Sequence, residues 1–315
     1  MTVPTSEQLL SGLKSHDPRA IGRAISVVEN NGEGAAAILA GLDRDILQKV
    51  VVLGITGPPG AGKSTLSSGI VKNLRSAGKR VGIIAVDPSS PISGGAILGD
   101  RIRMMDHALD PDVVVRSMAT RGRLGGLCAS AGATVRIMAA AECELILIET
   151  VGVGQSEMDI VQLADITIMV LAPGFGDDIQ AMKAGLLEVA DFLVVNKSDQ
   201  PGASGLIMDM EQTFSAKEEE SGIARVLETV ASENRGIREL LERVDRFNGY
   251  LLDSGLKEQR RSRALNAETL DWILEMLRPR FLQAMEKTSM ENDPRIRAKE
   301  LIRTTLRLHS TDTQE

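Results

Sequence analysis

Residues 50–65 read VVVLGITGPPGAGKST, and the predicted fold follows from this segment. Five of its first six residues are apolar and most of these are β-branched, which is typical of a buried parallel strand. At Gly57 the apolar run gives way to the pattern G-x-x-x-x-G-K-S/T, the signature of a phosphate-binding loop between a strand and a helix. We therefore predict an α/β fold, with a mostly parallel P-loop NTPase sheet and helices on both of its faces.

The loop is expected to bind a nucleoside triphosphate through its backbone. Small residues let consecutive N–H groups turn toward the phosphates, and the helix that follows adds partial positive charge. Lys63 is expected to reach the β- and γ-phosphates and the Ser64 hydroxyl to ligate Mg²⁺, whereas an ordinary glycine turn would not need this pair. The residues predicted to hold the phosphates are Gly57, Pro58, Pro59, Gly60, Ala61, Gly62, Lys63, Ser64 and Thr65.

Composition narrows the class of protein. With 315 residues, 43% hydrophobic and 2% aromatic, the chain can build a sizeable and mainly aliphatic core. The formal net charge of -7 argues against a nucleic acid or a membrane surface as the main partner. No segment reads as a signal peptide or a membrane span, and Cys128 and Cys143 form no C-x-x-C pair. We therefore expect a cytoplasmic protein with reduced thiols.

Acidic residues are expected beside the phosphates. Residues 79–86 predict a second buried strand, and Asp87 follows at its carboxyl end, where α/β sheets bind ligands. Asp100 lies in a glycine-rich segment, residues 92–100, whose composition suits a loop that orders around a γ-phosphate. We interpret both acids as candidate magnesium ligands. The alternatives are a turn residue at Asp87 and a helix cap at Asp100.

A switch is predicted where a further strand, residues 144–149, ends in Glu149. The sequence Glu-Thr-Val-Gly that starts there has the form in which a strand-end acid orients a magnesium-bound water and the N–H of Gly152 meets the terminal phosphate. Gln155 is a candidate for orienting the attacking water. The glycines of this segment do not make a dinucleotide-binding fingerprint, because the third glycine is missing.

Base recognition is predicted from residues 196–199, which read NKSD after another buried strand. The Asp199 carboxylate can accept from both N1–H and the 2-amino group of guanine, whereas adenine offers no donor at these positions. Asn196 is expected to tie this loop to the phosphate loop, and Lys197 to lie along the base. The pattern therefore favours GTP over ATP. Two residues after the last predicted strand are candidates for a backbone contact with the guanine carbonyl, Ala231 and Ser232.

Helical segments flank the predicted nucleotide domain. Residues 1–47 show helical periodicity and are expected to form a small helical cap, and residues 48–254 to form the P-loop G domain. Residues 255–315 carry an apolar stripe along long helices, which favours a C-terminal segment for homodimerisation. The alternative is that this segment covers the nucleotide domain of its own chain.

A family resemblance follows from several motifs taken together. In order and spacing, VDPSSPISGGAILGDRIRM, RLGGL, ETVGVGQSE, APGFGDDIQAMKAG and NKSD resemble the MeaB/ArgK family of P-loop GTPases over about residues 15–255. The resemblance implies a homodimeric GTPase that assists a cobalamin-dependent acyl-CoA mutase of the methylmalonyl-CoA mutase type, gating adenosylcobalamin delivery and protecting the mutase. It also places Lys183 in a switch helix, and gives Lys63, Asp87, Asp100 and Glu149 their phosphate and metal roles. The loop at residues 118–123, MATRGR, departs from the form found in many members.

Two other functions stay open at this stage. One is a kinase linked to periplasmic amino-acid transport, the older description of this family, although no separate acceptor pocket is evident. The other is a GTPase that inserts a metal ion such as nickel. That function needs a cluster of soft or imidazole ligands, and His16, His107 and His309 are scattered.

Overall fold

The computed structural model describes residues 4–87, 109–119, 130–150, 156–174, 185–287 and 293–307. Within these residues the fold is built on seven parallel strands in the order β3-β2-β4-β1-β5-β6-β7. The strands are β1 Val51–Thr56, β2 Val81–Asp87, β3 Val113–Ala119, β4 Leu145–Thr150, β5 Ile166–Leu171, β6 Phe192–Asn196 and β7 Val226–Thr229. The predicted α/β fold with a parallel sheet is confirmed.

Helices connect the strands, because parallel neighbours require crossover connections. The described helices are α1 Ser6–Lys14, α2 Pro18–Glu29, α3 Ala35–Ala40, α4 Arg44–Lys49, α5 Lys63–Ser76, α6 Ser130–Ala140, α7 Ser156–Leu163, α8 Leu186–Val189, α9 Ala203–Ser221, α10 Ile237–Asp253, α11 Leu256–Lys287 and α12 Pro294–Arg307.

The central strand β1 shows how the sheet divides the core. Leu53 and Ile55 point to the face covered by α5 and α10, whereas Val52 points to the face covered by α2 and α6. Gly54 lies under α7, where an added Cβ would come within 2.3 Å of the Ile160 side chain. Both faces of the strand are therefore buried, as the continuous apolar run predicts.

The N-terminal helices form a further layer on one side of the sheet. Helix α6 consists mostly of small residues and is buried along almost its whole length, between the sheet and helix α2. Arg116 of the edge strand β3 pairs with Glu29 of α2, which fastens this layer to the sheet. The described residues 6–49 contain the four helices α1 to α4.

The chain divides into two compact units, residues 1–265 and residues 266–315. In the smaller unit, Arg297 donates to the Met285 carbonyl oxygen at 2.8 Å and Leu301 is buried. Large apolar side chains of this unit are nevertheless exposed, among them Leu270, Leu274 and Met276. No helix in the described residues combines the length and apolar character needed to cross a membrane.

Candidate nucleotide-binding site

The phosphate loop turns sharply at glycines that no residue with a side chain can replace. Gly57 has φ 137°, and a Cβ there would lie 2.1 Å from the Val170 carbonyl oxygen of β5. Gly62 has φ 93°, and its Cβ would lie 2.2 Å from Nδ2 of Asn196. Both positions combine a left-handed backbone with close contact, so the loop is packed against β5 and β6.

Helix α5 starts at Lys63 with its N-terminus open. Its N-cap is Gly62, no side chain in the described part of the chain caps the helix, and its first turn holds no acidic residue. The first N–H groups of a helix and its dipole attract anions, so this end suits a phosphate. The buried Lys63 ammonium lies over the same loop and donates to the carbonyl oxygens of Gly57 at 2.7 Å and Pro58 at 3.1 Å. A cation and an uncapped helix end therefore meet at one place.

Ser64 at the start of helix α5 and Glu149 of strand β4 come together. Glu149 lies beside Ile55 in the pairing of β4 with β1, and its side chain is buried. The Ser64 hydroxyl donates to Oε1 of Glu149 at 2.6 Å. A hydroxyl and a carboxylate oxygen side by side are the hard ligands that Mg²⁺ prefers, so these residues fit the ion that the sequence predicts.

Asn196 at the end of β6 joins the predicted base-reading loop to the phosphate loop. Its Nδ2 donates to the Ala61 carbonyl oxygen at 2.9 Å, and its Oδ1 accepts from the Thr229 hydroxyl at 3.1 Å and the Ala231 N–H at 3.0 Å. Lys197 adopts φ 56° and donates from Nζ to the Gly60 carbonyl oxygen at 2.8 Å. The phosphate loop and residues 196–199 are therefore adjacent, within the reach of one nucleotide.

Asp199 and Ser232 lie on the solvent side of this junction, whereas Ala231 does not. Asp199 is exposed in the turn that follows β6, and the Ser198 N–H donates to the Thr229 carbonyl oxygen at 3.1 Å, which fixes the turn against β7. Ala231 starts a short 3₁₀ turn, Ala231–Glu233, and is buried, whereas Ser232 is exposed. The Ala231 N–H is engaged by Asn196, which leaves the exposed Ser232 as the freer backbone candidate of the two.

Several predicted residues lie outside the described part of the chain. These are Asp100, Gly152, Gln155 and Lys183. For Asp87 the backbone is described as the last residue of β2, next to the pair formed by Val86 and Thr150, but its side chain is not. Their predicted roles therefore stay predictions.

Thr229 is a site residue that the motifs did not reveal. Its hydroxyl is buried and holds the Asn196 amide, and its backbone pairs with Asn196 in the register of β6 with β7. The available signal was a hydroxyl residue near the end of the last predicted strand, two positions before Ala231. Its role depends on which strand lies beside β6, and local sequence does not show this.

Comparisons with known proteins agree on one family. A family model described as "Methylmalonyl Co-A mutase-associated GTPase MeaB" matches residues 21–289. A protein of Pyrococcus abyssi is 47% identical over 265 residues, which cover 82% of this chain and 81% of the relative. The GTPase ArgK of Escherichia coli is 34% identical over 277 residues, 85% of this chain and 82% of the relative. The crystal structure of an LAO/AO transport system kinase superposes with a TM-score of 0.64 at 25% identity, covering 96% of this chain and 99% of that one.

Proposed function

The chain belongs to the family of methylmalonyl-CoA mutase-associated GTPases, and we propose that it serves a cobalamin-dependent acyl-CoA mutase as a GTP-hydrolysing chaperone. Family membership makes the chain a guanine-nucleotide-binding GTPase. The proposal adds the partner and the purpose of hydrolysis, which is to time the delivery of adenosylcobalamin and to protect the mutase. The observation that carries it is the family match, which spans the phosphate loop, the base-reading loop and most of the described helices.

The proposed hydrolytic step uses residues of the phosphate loop and of the predicted metal site. Ser64 and Glu149, together with Asp87 and Asp100, would hold Mg²⁺, which supplies charge neutralisation at the phosphates. Lys63 transfers its hydrogen bonds from the Gly57 and Pro58 carbonyls to phosphate oxygens when GTP binds. The N–H groups at the start of α5 then stabilise the charge that develops on the γ-phosphate. Gln155 and Lys183 are the proposed residues for positioning water and completing the switch.

Guanine selection is assigned to Asp199 and can be tested without any partner. Asparagine at this position has one acceptor and one donor, so it no longer matches the two donors of guanine but does match the N1–H and 2-carbonyl of xanthine. We expect Asp199→Asn to lose GDP affinity by about a hundredfold and to prefer xanthosine diphosphate. Asp209→Asn on the exposed surface of α9 makes the same charge change and should bind like wild type. Unchanged GDP preference in Asp199→Asn would remove Asp199 from the base site.

The mutase role is tested by measuring whether the two proteins affect one another. We expect a cobalamin-dependent acyl-CoA mutase to be retained by this protein in a manner that differs between GDP and a non-hydrolysable GTP analogue, and to accelerate GTP hydrolysis. Lys63→Met, which removes the phosphate-contacting cation, is the control that should abolish the acceleration. Equal hydrolysis rates with and without mutase would reject the chaperone role. Transfer of phosphate to a protein acceptor, instead of release as free phosphate, would favour a kinase.

The proposal also includes a homodimer formed through the smaller unit. Its support is the set of exposed apolar side chains on α11 and α12, since exposed apolar patches of this kind mark association surfaces. Leu274, 58% exposed, is the test position, and Leu252 of α10, 54% exposed, is a matched control in the larger unit. Sedimentation should report a dimer for wild type and Leu252→Asp, and a monomer for Leu274→Asp. A monomeric wild-type protein would contradict the dimer.

A further inference from the structure

The N-terminal ends of two neighbouring strands carry the same local arrangement. Asp165 directly precedes β5 and Asp191 directly precedes β6, and each follows an alanine. The Asp165 N–H donates to the Val52 carbonyl oxygen at 2.9 Å, and its Oδ2 accepts from the Val52 N–H at 3.0 Å. Asp191 makes the same two contacts with Thr167, both at 2.9 Å. Each aspartate therefore fixes the start of its own strand to the strand beside it.

Helix α11 neutralises both carboxylates with two consecutive arginines. Arg261 binds Asp165 through Nε and Nη2, both at 2.7 Å, and Arg260 binds Asp191 through Nη1 and Nη2 at 2.7 and 2.8 Å. Arg260 also donates to the Asp165 carbonyl oxygen at 2.7 Å. The fork of each guanidinium matches a carboxylate in two places, so these pairs fix direction as well as distance.

The same part of α11 also holds the start of β1. The carbonyl oxygen of Val50 accepts from Lys257 at 3.1 Å and from Arg261 at 2.7 Å. One short segment of α11 is therefore bonded to the N-terminal ends of β1, β5 and β6, which are adjacent in the sheet. We refer to Lys257, Arg260 and Arg261 as the α11 clamp.

The opposite ends of these three strands form the nucleotide site. Strand β1 runs into Gly57, the Val170 carbonyl of β5 lies against Gly57, and β6 ends at Asn196, which bonds to the phosphate loop. The strands are five or six residues long and buried throughout. A short buried strand moves as a unit, so a shift at its start displaces the loop at its end.

We propose that Arg260 and Arg261 are positioning residues of the guanine-nucleotide site, which hold β1, β5 and β6 at the spacing that the phosphate and base loops require. The inference rests on the nucleotide site assigned above and not on the mutase role. If the clamp only stabilised the fold, substitutions in it would lower the melting temperature. They would then speed nucleotide release no more than any other substitution that costs the same stability. Nucleotide release is therefore the property that separates the two roles.

The test measures the release rate of a fluorescent GDP analogue from the full-length protein. In Arg260→Lys and Arg261→Lys the charge is kept and the fork is lost, and we expect release to be roughly threefold to tenfold faster, the usual range for residues that act through a network. Arg263→Lys, exposed on the same helix, should release the analogue at the wild-type rate. Ile25→Ala removes buried side-chain volume from the distant N-terminal layer and controls for lower stability alone.

A milder variant and a double mutant keep the test decisive. Asp191→Asn keeps an oxygen for the Thr167 N–H but loses the ion pair with Arg260, so it should release the GDP analogue as fast as Arg260→Lys. A variant that carries both substitutions should release it no faster than either single variant, because both remove the same interaction. Wild-type release rates in Arg260→Lys and Arg261→Lys, equal acceleration by Ile25→Ala, or failure of all clamp variants to fold would each overturn the proposal. Failure of the wild-type protein to bind the analogue would instead reject the assigned nucleotide site.

Discussion

Asn196→Asp is the substitution that most directly tests how the two nucleotide loops are joined. Asparagine and aspartate have nearly the same shape, so packing is preserved. The oxygen that accepts from Thr229 and Ala231 is kept. The donor is lost, and a carboxylate oxygen would face the Ala61 carbonyl oxygen across the present 2.9 Å contact. The substitution therefore changes one hydrogen bond into a repulsion.

The expected cost follows from the burial of this junction. Losing the hydrogen bond costs about 1 kcal/mol, and leaving a buried carbonyl without its donor costs about 2 kcal/mol more. Without nucleotide, we expect the free energy of unfolding to fall by about 3 kcal/mol. If bound nucleotide holds the loops together, the same loss lowers GDP affinity by about a hundredfold. Thr229→Val removes only one donor to Asn196 and should cost about 1 kcal/mol.

Urea unfolding with and without GDP, together with fluorescence titration of GDP, measures both quantities. Asn31→Asp places the same charge change at an exposed position in the N-terminal helical layer, and should leave the free energy of unfolding within about 0.5 kcal/mol of wild type. If Asn196→Asp unfolds and binds GDP like wild type, the Asn196 amide does not join the loops as described.

Three further outcomes follow from individual residues. Gly57→Ala should abolish nucleotide binding in an equilibrium titration, because a Cβ at Gly57 meets the Val170 carbonyl oxygen. Gly249→Ala is the control and should bind nucleotide, because nothing lies within 4 Å of its added Cβ. Burial lowers the pKa of Lys257 from 10.5 to about 8, so the unfolded chain binds more protons than the folded chain between these values, and this group makes stability rise with pH there. Wild type and Lys257→Met are compared by urea unfolding at pH 7 and at pH 10. From pH 7 to pH 10, the free energy of unfolding of wild type should rise by about 2 to 3 kcal/mol relative to that of the variant, and an unchanged difference would refute the pKa shift. Burial raises the pKa of the Cys143 thiol to about 12, so mass spectrometry should find this cysteine unalkylated in the native protein at pH 8 and alkylated after denaturation, and rapid native alkylation would contradict its burial.

Local sequence patterns are sufficient to predict the helices and strands and the class of ligand. The phosphate loop is recognisable from residues 57–64 because the backbone turn, the helix start and the lysine are all specified within one short segment. Continuous apolar runs locate the strands for the same reason, since burial on both faces removes the alternation of polar and apolar residues. Boundaries are less accurate, because the sequence predicts residues 79–86 for a strand that spans Val81–Asp87.

Residues that are neighbours in the chain are sufficient to predict the sheet, the phosphate-binding loop and the binding of a guanine nucleotide. Contacts between residues far apart in the chain are seen only once the chain is folded: Thr229 supports Asn196, 33 residues away, and Arg261 binds Asp165, 96 residues away. For the helix that carries Arg261, the sequence shows only an apolar stripe. Which charges are buried together depends on strand order and helix placement, and these are set by packing over the whole domain.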